Sequence, residues 1–162
     1  MTSILPHAKC IVLFVGNDDR RPKEQDSSEH LLREIGAKLS IPVEVLNSKW
    51  ISKLGLDLLF NTLKILASPD NRTCLLIAGA YLEDQITVCT LEALAEGFDA
   101  HLLTDLIITR DERFTQTLLF RLLQAGAVPS TLNQFLYLWS AAEPCEYQQT
   151  AIKEVIQKHF SN

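Results

Sequence analysis

The sequence has no apolar run approaching the roughly 20 residues that cross a bilayer. Its first apolar stretch, residues 10–15, is too short for a secretion signal and has no small-residue cleavage site after it. Clustered lysine and arginine are also missing. The formal net charge is −5, and the densest charged stretch, residues 18–26, mixes both signs and reads as a solvated loop. No nucleic acid and no membrane is therefore expected as a partner. The four cysteines, Cys10, Cys74, Cys89 and Cys145, form no C-x-x-C pair. Three of them sit in apolar patterns, as buried free thiols do in a reducing cytoplasm, the location expected here. No His or Cys pair has zinc-ligand spacing, so no metal is expected. Dinucleotide binding needs G-x-G-x-x-G after the first strand, where this chain reads Gly16-Asn17-Asp18, and no Walker-type Gly-Lys-Ser/Thr occurs. No cofactor is expected on these grounds. The G-x-S-x-G elbow of a serine hydrolase is absent, and His7, His30, His101 and His159 are isolated from one another.

What is present is an ordinary globular composition over 162 residues, 47% apolar and 22% charged. There is no internal repeat or linker, and the length suits a single domain over 1–162. Residues 10–15 are a continuous β-rich run ending at Gly16, as in a strand buried on both faces. Further strands are expected over 42–46, 73–78 and 100–103, with a brief edge strand over 127–129. Helices are expected over 29–39, 54–67, 83–96 (stopped by Gly97), 114–124 (closed by Ala125-Gly126) and 143–160, with a break near Pro144. Strands alternating with helices of this length form βαβ units, and hence a three-layer α/β/α fold with a mainly parallel, Rossmann-like sheet of five or six strands. Its core is expected to include Val12, Phe14, Val45, Leu76 and Leu103. Sites in such sheets form where strand C-termini meet helix N-termini, which points to the loops 16–19, 47–52, 79–85 and 104–109.

The stretch from Leu75 to Leu138 resembles a known family. Leu75-Leu76-Ile77-Ala78-Gly79-Ala80 is similar to the strand and glycine that precede the catalytic helix of isochorismatase-like (cysteine) hydrolases. A second glycine closes that helix eighteen residues later in the family, and Gly79 and Gly97 have this separation. Leu102-Leu103-Thr104-Asp105 resembles the family's strand ending in Asp-Ala. Arg110 through Arg121 to Gly126-Ala127 and Ser130-Thr131 resembles the isochorismatase-domain-containing subgroup. Between the second strand and the next helix the chain is shorter than its relatives, which carry a long covering loop there.

The resemblance implies a site built from an Asp base at the end of the first strand, an orienting Lys, and a nucleophilic Cys at the start of the helix after the third strand. A helix N-terminus and neighbouring cation lower a thiol pKa, and backbone N–H groups at the same helix start form an oxyanion hole. Here Gly16 stands at the Asp position and Gln85 at the Cys position, six residues after Gly79. Lys49 matches the Lys position with a spacing one residue short; a lone loop lysine is the other reading. The oxyanion-hole equivalents are the N–H groups of Tyr81 and Gln85, and the family's non-proline cis bond falls at Ala80–Tyr81. Cys89 lies one turn, about 6 Å, beyond Gln85 and away from the activating helix end, as a buried structural cysteine would.

Two functions follow as expectations. One is a hydrolase-fold protein without the hydrolysis, a pseudoenzyme kept for binding or assembly. The other is a hydrolase of a small amide or vinyl ether that uses relocated groups among Asp18, Lys49, Asp84 and Cys89. A small-molecule ligand fits either. Relatives are commonly oligomeric, and Phe135-Leu136-Tyr137-Leu138-Trp139 is more apolar than a lone surface stretch should be, so a homo-oligomer, dimer or larger, is expected.

Overall fold

Apolar runs without polar alternation can be satisfied only where both faces of a strand are covered. The computed structural model, which describes residues 6–16, 23–48 and 51–160, places them that way. Strands β1 (Cys10–Gly16) and β3 (Cys74–Ala80) are buried at every position. They pair with each other in parallel and form the centre of a five-stranded sheet of order β2-β1-β3-β4-β5. The remaining strands are β2 (Val43–Asn47), β4 (Asp99–Ile108) and β5 (Val128–Ser130), and every pairing is parallel.

Because side chains alternate along each strand, the sheet has two apolar faces and two helical layers. Val12, Phe14, Leu76 and Leu103 pack under α1 (Lys23–Leu39), α5 (Leu132–Ala142) and α6 (Glu146–Phe160). Ile11, Leu13, Val15, Leu75 and Ile77 pack under α2 (Lys53–Ala67), α3 (Thr87–Ala95) and α4 (Thr115–Ala125). A π-helical turn, Leu82–Ile86, runs directly into α3. The three-layer α/β fold with a parallel sheet is thus as the sequence pattern indicates, with five strands among the described residues. Val45 differs from its expected place in the core: it is only half-buried, because β2 is an edge strand with one neighbour.

Three further features depart from the sequence reading. Helix α1 begins at Lys23, six residues before the expected start at 29, so Asp26, Ser27 and Ser28 lie inside it. Strand β4 does not stop at 103. It shifts register against β3 between Ile77 and Gly79 and continues to Ile108, so most of the expected 104–109 loop is strand. Asp105 serves there as a cap, its Oδ1 accepting the Leu132 N–H at 3.0 Å. Residues 132–142, which include the apolar stretch 135–139, form α5, a helix separate from the expected 143–160, with Thr131 as N-cap accepting from the Gln134 N–H. Phe135, Leu136 and Trp139 are buried core residues, and only Tyr137 and Leu138 of that run reach solvent. Its apolarity is explained by the core, and it no longer argues for association.

Candidate functional site

Strand order reverses between β1 and β3, and at such a switch point the loops leaving the two strand ends diverge and open a crevice. The residues that meet there are Gly16 at the end of β1, Asn47 at the end of β2, and the head of the Leu82–Ile86 turn after β3. The Ala80–Tyr81 peptide bond is cis, at the position where the resemblance places one.

Position 16 has no side chain, and the space a side chain would take is occupied. A Cβ built on Gly16 would overlap Asn47 Oδ1 and lie 3.1 Å from Gln25 Nε2. Gln85 is almost fully buried. Its Nε2 donates to the Ser48 carbonyl, and its Oε1 has no hydrogen-bond partner among the described residues. The three amide side chains gathered there, Gln25, Asn47 and Gln85, can donate and accept hydrogen bonds but do not titrate, so none can act as base or nucleophile at neutral pH.

Of the other sequence-derived candidates, Asp84 faces a cation: its carboxylate pairs with Arg110 Nη2 at 2.7 Å. The Arg110 guanidinium also lies over the Tyr81 ring, 4.6 Å from its centroid. Cys89 is fully buried, and burial, with Glu92 adding to it, pushes its thiol up to about 12. Asp18 and Lys49 lie outside the described residues.

Sequence reading missed two residues that shape this end of the molecule. Glu83 Oε2 accepts the backbone N–H groups of Arg110 (2.6 Å) and Asp111 (3.0 Å), pinning the β4–α4 connection to the helix head. Arg110 then closes over Tyr81 from the same connection. Their separation of 27 residues leaves no local signal; only the juxtaposition of β3 and β4 makes them neighbours. Among the described residues no group of three or more His, Cys, Asp or Glu is arranged to hold a metal ion, and no helix is long and apolar enough to cross a membrane.

No protein-family model and no curated relative matches the sequence. Solved structures do resemble this one. YcaC from Pseudomonas aeruginosa, solved with hexane-2,5-diol and covalent acrylamide, aligns with a TM-score of 0.71 at 17% identity over 99% of this chain and 93% of its own. YcaC from Escherichia coli, an octameric hydrolase of unknown specificity, gives 0.62 at 16% identity over 95% of this chain and 97% of its own. The MAR1 ribonuclease of Caenorhabditis elegans gives 0.72 at 15% identity over 95% and 92%. An isochorismatase-like hydrolase from Alkaliphilus metalliredigens gives 0.56 at 11% identity over 82% and 99%. Identities this low speak for backbone architecture, and the chain therefore has the fold shared by YcaC and the isochorismatase-like hydrolases.

Proposed function

We propose that this chain is an isochorismatase-like protein that has lost the family's hydrolytic chemistry and serves as a binding or assembly module. The observation that carries this reading is the filling of the crevice at Gly16. Where the resemblance requires a carboxylate, the chain has a glycine whose side-chain space holds the Asn47 and Gln25 amides. Gln85, at the nucleophile position, is engaged with the Ser48 carbonyl. Of the groups that could substitute, Asp84 is paired with Arg110. Cys89 is sealed in the core with a protonated thiol, whereas a nucleophilic cysteine needs access and a lowered pKa. Self-association belongs to the same reading and is supported by the octameric state of the E. coli YcaC neighbour. The ligand we expect is a small neutral or polar molecule held by the amides; the net charge of −5 gives no support to a nucleic-acid substrate.

The test is an assay of the purified chain against small primary amides and vinyl ethers, run beside a thermal-shift screen of the same compounds. We expect no turnover above the buffer blank, with any binder showing itself as a raised Tm by mass action. Turnover that Lys49→Ala abolishes would overturn the proposal in favour of relocated catalysis.

A further inference from the structure

The two helical layers present different surfaces to solvent. On α1 and α6 many outward positions are charged, including Glu24, Arg33, Lys38, Lys153 and Glu154, with Tyr147 an exposed aromatic among them. On the other layer large apolar side chains are exposed among polar ones such as Lys53, Asn61, Lys64 and Arg121. Leu54 (69% exposed), Leu58 and Ile65 (73%) share one strip of α2, opposite its buried Leu59, Phe60 and Leu63. The exposed residues of α3 are Val88, Leu91 and Ala95, with no charge among them. Phe120 of α4, 60% exposed, continues the surface, and α3 packs against both flanking helices. We infer that the α2–α3–α4 face is a self-association surface, occupied by the same face of a second copy of this chain.

The choice of occupant rests on area, charge and spacing. Those six large side chains expose roughly 600 Å², for full side-chain areas on the order of 150–200 Å². That reaches the upper end of the largest apolar patch on an ordinary monomer, about 300–600 Å². With a polar rim it approaches the roughly 800 Å² each partner gives to a stable interface. Two copies of a chain with net charge −5 repel least where charge is sparse, and the fully exposed positions of α3 carry none. Spacings of i, i+4, i+11 on α2 and i, i+3, i+7 on α3 keep the apolar residues on one stripe of each helix, the pattern two helices need to pair across a two-fold axis. The charged α1/α6 layer then remains in water.

Sedimentation of the full chain at micromolar concentrations tests this, with reductant present because Cys145 is an exposed free thiol. The wild type should associate. Leu91→Glu and Ile65→Glu should each weaken association about thirtyfold or more, the scale of a central interface residue, while circular dichroism and the urea midpoint stay close to wild type. Tyr147→Glu, on the opposite layer at a side chain 79% exposed, should leave association intact. If Leu91→Glu does not fold, Ile65→Glu carries the test, since that side chain is mostly in solvent. A monomeric wild type sinks the inference. So does association that survives both helix-face substitutions, a result that would leave self-association standing and reject only this face.

Discussion

Gly79 shows how little room single residues have at the crevice. It sits at φ +122°, and a Cβ there would strike the Val15 carbonyl and lie 2.9 Å from the Val15 nitrogen. Both obstacles are backbone of the central strand β1, which cannot step aside. Gly97, at φ +90°, meets no atom within 4 Å. Gly79→Ala should therefore cost upwards of about 3 kcal/mol, and Gly97→Ala only about 1 kcal/mol, the price of a left-handed backbone alone. Urea midpoints of the two variants check this, and equal losses would refute it. Both glycines were legible as landmarks of spacing. That one is a packing contact and the other an open helix end was not legible, since the difference lies in what another strand brings alongside.

Elements at the opposite end of the sheet are tied together by one side chain. Arg72, in the turn before β3, donates from Nη1 to the Cys10 carbonyl at 2.8 Å and the His7 carbonyl at 3.3 Å. Its Nη2 donates to the Ser40 carbonyl at 3.2 Å and to Asp70 Oδ2 at 3.3 Å. One planar fork thus joins the entry to β1, the α1–β2 turn and the entry to β3. Arg72→Met should cost roughly 3 kcal/mol, because buried carbonyls lose their donor. Arg72→Lys should recover only part of this, since a single ammonium cannot match the guanidinium's spread of donors. A lysine variant as stable as wild type in urea would show that charge, and not the fork, is what matters. Helix α5 teaches a related lesson. Its Phe135, Leu136 and Trp139 were conspicuous as a run, but a run cannot say whether it meets solvent or a sheet. The structure lays it against β4 and α6.

At the scale of the whole molecule, thiol burial makes a pH prediction. Burial pushes Cys89 from its ordinary value of 9.0 up to about 12. Cys74 is raised as well, first by its hydrogen bond with Cys10 and then by burial. The folded chain holds these protons more tightly than the unfolded chain does. Their stabilisation is therefore complete below about pH 9 and is lost as pH rises toward the folded-state values, at about 1.4 kcal/mol per pH unit for each thiol. Urea unfolding between pH 8 and pH 11 should show this decline, and Cys89→Ala should make it shallower. An unchanged slope in that variant would mean other groups set the alkaline limit.

The sequence by itself determined the alternation of strands and helices as far as β5, the parallel sheet and the central strands. Continuous apolar runs and helical spacing are local, and only one layered arrangement covers them. Through the resemblance it also led us to expect Gly16 and Gln85 at the positions of the family's Asp and Cys. Tertiary structure decided the rest: that Asn47 and Gln25 crowd the space at Gly16, that Arg110 pairs with Asp84 and lies over Tyr81, and that large apolar side chains of α2, α3 and α4 reach solvent. Each of these depends on residues brought together from different strands and helices, and on which side of the sheet a helix crosses. Local periodicity carries no information about either.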